Sequence, residues 1–225
     1  MTQLMNSHNQ TIPKITSKLL GVLATYLLIS ACTPSATVGG QTGSNNVPAT
    51  TQNSSQKSKQ TQILQQAKQI QGYLATDNYQ ALTPHIHPTK GVRFSMYAYV
   101  QQETDKVFSR EQFATYLQQS RIKFTWGTKD GIGNLHITTL PDFLDSWVAA
   151  EQYDFKGATF NKFQGSGNSL NNLKEVYPNA DFVEFYHSGK NPEYAGMDWR
   201  SMRLVFEEYQ GKYYLVAIVN DQWTV

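Results

Sequence analysis

The tightest constraint on this chain is its last stretch, DWRSMRLVFEEYQGKYYLVAIVNDQWTV, which runs from residue 198 to 225. Two runs rich in aromatic and β-branched side chains meet at Gln210 and Gly211, the pattern of an antiparallel hairpin. A hairpin needs further strands to be stable in water, and ADFVEFYHSG, from 180 to 189, has the same period-two character and supplies one. A two-residue turn sets Phe206 opposite Leu215, Leu204 opposite Ala217, Met202 opposite Val219 and Arg200 opposite Asp221. Three apolar pairs then end in an ion pair on one face. A three-residue turn with Gly211 left-handed places Trp199 opposite Asp221 instead.

Upstream, the period changes. Ile63, Ala67, Ile70 and Leu74 recur at spacings of four, three and four, which predicts an amphipathic helix over about 61 to 76. The prolines and glycine of PHIHPTKG interrupt regular structure before an extended run from Val92 to Val100. Ser109 with Gln112 fits a capping box that opens a second helix, with Phe113, Tyr116 and Leu117 facing inward. KFTWG reads as a short strand. Thr139, Pro141 and Asp142 together mark the start of a third helix. Helices first and antiparallel strands afterwards indicate an α+β fold.

The opposite end of the chain is not core material. Leu19 to Ile29 is a short apolar run after a polar lead holding Lys14 and Lys18 and no acidic residue. A spanning helix needs roughly twenty apolar residues, so the run reads as a secretory signal rather than an anchor. The small residues Ser30 and Ala31 precede Cys32, the one cysteine of the chain, and the sequence ISAC resembles the lipobox of bacterial lipoproteins. That resemblance implies cleavage before Cys32 and acylation of its thiol, with the lipid bilayer as partner. Two or three acyl chains hold a protein on a membrane where one does so only marginally. Thr33 stands where an aspartate would retain the product at the inner membrane, so the likeness implies the outer membrane in an envelope that has one. Met1 and Met5 both remain possible starts. Residues 33 to 60, rich in Ser, Thr, Asn, Gln and Gly, read as a flexible tether. The expected organisation is therefore signal peptide 1–31, lipidated cysteine and linker 32–60, and one α+β domain 61–225.

Without residues 1–31 the chain carries 17 basic and 17 acidic side chains. No positive field of the kind that nucleic-acid binding rests on is present, and no nucleic-acid partner is expected. GSGNS around Gly165 lacks the Lys-Ser/Thr of a phosphate loop, and no cofactor motif occurs. HIH places His85 and His87 on one side of an extended backbone, a weak metal-ligand pair set between Pro84 and Pro88, where a rigid structural corner is the competing reading.

HPTKGVRFS, EVYPNADFVEFY and the final hairpin resemble blocks of a family of exported bacterial domains without assigned activity. The order of elements is similar to the NTF2-like (SnoaL-like) superfamily, whose helices pack on a curved antiparallel sheet as a cone. The superfamily holds both enzymes and non-catalytic binding modules, so the resemblance alone selects no function. In such a cone Arg200 and Asp221 would sit at the mouth or floor. His187 is the choice over Glu184 to join them, because three residues is an odd step that places these two on opposite faces. Two functions are compatible with this. One is a lipid-anchored module that binds an envelope protein, a glycan or a small molecule. The other is an enzyme of isomerase or dehydratase type, with Asp221 or His187 as general base and Arg200 positioning an anion.

Overall fold

The computed structural model describes residues 49–225 apart from Ser166, with side chains from residue 55 onward. The expected signal peptide, the expected lipidation site Cys32 and most of the expected tether lie outside the described residues. No helix among the described residues is long and apolar enough to cross a membrane.

Helix α1, Ala49–Ala75, covers the expected 61 to 76 segment up to its penultimate residue and begins within the stretch read as a tether. Glutamine and lysine are good helix formers, and a nucleated helix extends cheaply along such a run. Lys59 also holds the early turns down, with its ammonium 2.7 Å from Asp181 and over the Tyr213 ring. Ile63, Ala67, Ile70 and Leu74 are all buried, as their spacing requires.

The curved sheet that α1 covers has six strands in the order β2-β1-β8-β7-β6-β5. They are β1 (Val92–Ser95), β2 (Lys106–Phe108), β5 (Thr159–Phe160), β6 (Asp181–His187), β7 (Arg200–Tyr209) and β8 (Lys212–Gln222). All neighbours are antiparallel except β1 and β8. Strands β3 (Phe124–Thr128) and β4 (Leu135–Thr138) form a separate hairpin. Helices α2 (Arg110–Leu117), α3 (Leu140–Phe143) and α4 (Leu173–Val176) complete the set, so the architecture is α+β.

Local signals explain most boundaries. Ser109 and Gln112 form the reciprocal capping box of α2, and Phe113 is fully buried. Thr139 caps α3 by accepting from the Asp142 amide. The third helix is shorter than its pattern suggests: α3 passes into one π-turn, Leu144–Val148, and stops at Ala149 with φ +46°. The extended run expected to Val100 ends at Ser95, because the Ser95 hydroxyl donates to the carbonyls of Tyr97 and Tyr99 and curls the chain.

The sheet buries both faces. One carries Val183, Phe185, Met202, Leu204, Phe206, Leu215 and Ile218, packed against α1 and an aromatic cluster in which Trp126 stacks on Phe143 at 3.9 Å. The other carries Phe182, Val205, Val216, Ala217 and Val219, roofed by Phe163, Leu173 and Tyr177 from the segment before β6.

The hairpin turn is the two-residue one. Gln210 and Gly211 both have positive φ, at +51° and +74°, a type I′ geometry whose twist matches the strands. Phe206 faces Leu215 as expected, but beyond that point the ladder slips. Val205 pairs with Ala217, so β8 has one extra residue at a β-bulge. The expected pairs Leu204–Ala217, Met202–Val219 and Arg200–Asp221 do not form. Asp221 lies opposite Ser201 and Arg200 opposite Gln222.

Candidate functional site

Because of that slip, the residues expected to converge are divided between the two faces. Asp221 points to the loop-roofed face, where it meets an arginine that the sequence reading missed. The Arg203 Nη2 lies 2.8 Å from the Asp221 Oδ2 and 3.0 Å from the Glu184 Oε1, and Nε donates to that same Glu184 oxygen at 3.0 Å. Glu184 and Arg203 are 0% exposed. Nη2 also donates to the Gly165 carbonyl, the guanidinium lies over the Phe163 ring at 5.0 Å, and the Gln164 amide donates to Glu184. Burial pushes the Asp221 carboxyl above its ordinary pKa, and the guanidinium offsets only part of that rise. Asp221 is thus sealed away from any ligand in solution, which corrects its expected role as a base beside Arg200.

The glycines of GSGNS acquire a structural reason here. A Cβ on Gly165 would stand 2.7 Å from the Trp199 indole, and one on Gly167 2.8 Å from it. Only glycine lets this roof approach the indole so closely.

Arg200 and His187, by contrast, do come together. They are a direct cross-strand pair of β6 and β7 on the helix-covered face. With Lys190, Asp198, Trp199 and Trp223 they line a cleft of about 330 Å³ at the end of the sheet. Arg200 donates to the Trp147 carbonyl at the π-turn, and among the described residues it has no carboxylate partner. The one acidic residue of the cleft, Asp198, is folded onto its own loop: Oδ2 accepts from the Lys190 and Asn191 amides at 2.7 and 2.9 Å. Gly189, with φ +97°, permits this turn, since any Cβ there would collide with that carboxylate. Nδ1 of His187 accepts from the Gly189 amide at 3.2 Å, which assigns the proton of the neutral ring to Nε2. That nitrogen has no partner, nor does the hydroxyl of Tyr153, whose ring packs against His187 at 5.6 Å. The imidazole pKa is lowered, first by burial and then by Lys190 and Arg200.

His85 and His87 form a corner instead of a ligand pair. The His87 Nδ1 accepts from the amides of Thr89 and Lys90, and its ring edge meets Tyr209 and Tyr214. His85 pairs with Gln66 of α1. Among the described residues, no group of three or more His, Cys, Asp and Glu is placed to hold a metal ion.

Two larger grooves flank the segment after β1. One of about 380 Å³ is floored by Trp126 and contains Asp105, whose carboxyl is pushed by burial up to about 6. The other, about 670 Å³, is broad and shallow beside Tyr99 and Leu170. The acid of the first is already satisfied by the Gln101 amide and by Arg93 3.9 Å away.

No protein-family model matches the chain, and no curated protein matches it. Among solved structures, a designed NTF2 protein matches with 12% identity, over 75% of this chain and 98% of that one, at a TM-score of 0.30. A superposition of that quality carries no argument about fold or function.

Proposed function

We propose that this chain is an exported, lipid-anchored protein of the cell envelope whose α+β domain, of NTF2-like type, works as a binding module and not as an enzyme. The anchor reading rests on the ISAC sequence at Cys32 and on the polar stretch that follows it. Binding is supported by one observation above the others. The helix-covered face of the sheet, where a cone would hold its substrate, is filled by the chain's own apolar side chains, with Phe94, Phe185, Met202, Leu204 and Phe206 all buried in one cluster. Of the two bases offered for an isomerase-like site, Asp221 is also sealed away from Arg200 on the loop-roofed face, and His187 alone lies beside it. Open clefts with polar and aromatic walls lie instead at the margins of the sheet, where a ligand meets groups already in place.

The anchor is tested by labelling cells with radioactive palmitate and fractionating them. The parent chain takes up label and sediments with membranes, whereas Cys32→Ser does neither. A Cys32→Ser chain that is still processed and still sediments with membranes contradicts the anchor.

A further inference from the structure

The cleft at the end of β6 and β7 has an unbalanced set of groups. Its cations, Arg200 and Lys190, have no carboxylate partner among the described residues, and its one carboxylate, Asp198, gives Oδ2 to two backbone amides while Oδ1 is buried without a partner. The Nε2–H of His187, a residue that lines the cleft, is buried without an acceptor. Two cations against one carboxylate, with an imidazole N–H beside them that has no acceptor, leave the cleft with an excess of positive charge. The rim is apolar: Trp223 is 39% exposed, Met197 is 47% exposed, and the Trp199 indole forms part of the wall.

We infer that this cleft binds the anionic group of a small organic acid or phosphate ester, with Arg200 and Lys190 taking the charge and the indoles covering the apolar part. Arginine suits this role because its planar fork matches carboxylate and phosphate oxygens and it cannot lose its proton. A volume of about 330 Å³ admits a small molecule and excludes a folded partner. The inference rests on the binding-module reading and names the ligand class for one of its clefts.

His187 gives the site a pH dependence whose sign follows from its surroundings. The groups that act on it are Lys190 and Arg200, which disfavour its cation, and Asp198, which favours it. An anion bound between the two cations cancels their effect and raises the imidazole pKa. By linkage, affinity then rises as pH falls through the titration of His187.

The test is an NMR-detected titration of the full chain with benzoate, phenyl phosphate and the neutral analogue benzamide. The expected result is saturable binding of at least one anion, with benzamide at least about tenfold weaker, and the two anions separate a carboxylate from a phosphate preference. Arg200→Gln and Lys190→Gln should each weaken the anion by about three- to tenfold. His187→Gln should abolish the gain in affinity between about pH 8 and 5.5. If Arg200→Gln fails to fold, Lys190→Gln decides the matter, because that side chain is exposed. The inference is overturned if neither anion binds by about 10 mM, if benzamide binds as well as benzoate, or if the cation variants bind unchanged. Each of those outcomes leaves palmitate labelling and the other two grooves unaffected, so a failure here is distinct from a failure of the anchored-module reading.

Discussion

Arg200 and Arg203 stand three residues apart on β7 and meet opposite surroundings. Arg203 is wholly buried between two carboxylates under a roof of glycine, glutamine and phenylalanine, while Arg200 lies at an open edge held by a single carbonyl. An odd step along a strand is enough to produce this difference, since alternate residues face opposite sides of the sheet. The pair shows that a charge near the middle of an apolar strand does not by itself mark a binding site. Where two carboxylates neutralise it in a water-free site it specifies structure, although the Nη1 of Arg203 has no partner, and where no carboxylate meets it at a cleft it is free to act on a ligand.

The most severe way to test the sealed side is to remove its cation. Arg203→Ala leaves Glu184 and Asp221 buried together without a counter-charge, and should cost about 3 to 5 kcal/mol in urea unfolding at pH 7. The deficit should shrink as pH falls and the Asp221 carboxyl, held above its ordinary pKa by burial, takes up a proton. A loss below about 1 kcal/mol would mean that water reaches the triad. A smaller effect belongs to its roof. Gly165→Ala drives a methyl against the Trp199 indole and should cost about 1 to 3 kcal/mol by the same measurement.

Asp105 sharpens the comparison from a third position, where a buried carboxyl has Arg93 3.9 Å away and Lys106 nearby, neither of which offsets its burial. Its pKa in the fold, about 6, is above the ordinary 3.8. The stabilisation this shift contributes is complete below the ordinary value and is lost as pH rises through the folded one. Between about pH 4 and 7 the parent should therefore lose stability relative to Asp105→Asn, and unfolding midpoints that run parallel for both chains would dismiss the shift. The smallest expected change is at a surface cap: Ser109→Ala removes the hydroxyl that accepts from Gln112 and should cost about 1 kcal/mol.

Much of this fold is legible in local sequence chemistry. The capping box at Ser109, the cap at Thr139, the α1 stripe and the Gln210-Gly211 turn each depend on residues a few positions apart, and each forms. The bulge at Val216 is different, because the run Leu215 to Val219 is apolar at every position and gives no alternation from which a slip can be read. One inserted residue then moved Asp221 from Arg200 to Arg203. A signal for the triad does exist: Glu184 in FVEFY and Arg203 in SMRLVF are lone charges inside apolar strands, and such charges are buried only when paired. The parallel pairing of β1 with β8 depends on distant segments and has no local mark. Nor did the polar start of α1 look like core, since residues 55 to 60 are mostly exposed and Lys59 supplies their contact with Asp181.

The central claim, that the two arginines divide structure from binding, is tested most directly by measuring unfolding free energies of Arg200→Gln and Arg203→Gln side by side. The account predicts a loss of no more than about 1.5 kcal/mol for the first, one hydrogen bond to a carbonyl, and at least about 3 kcal/mol for the second. Equal losses, or a larger loss for Arg200→Gln, would contradict it.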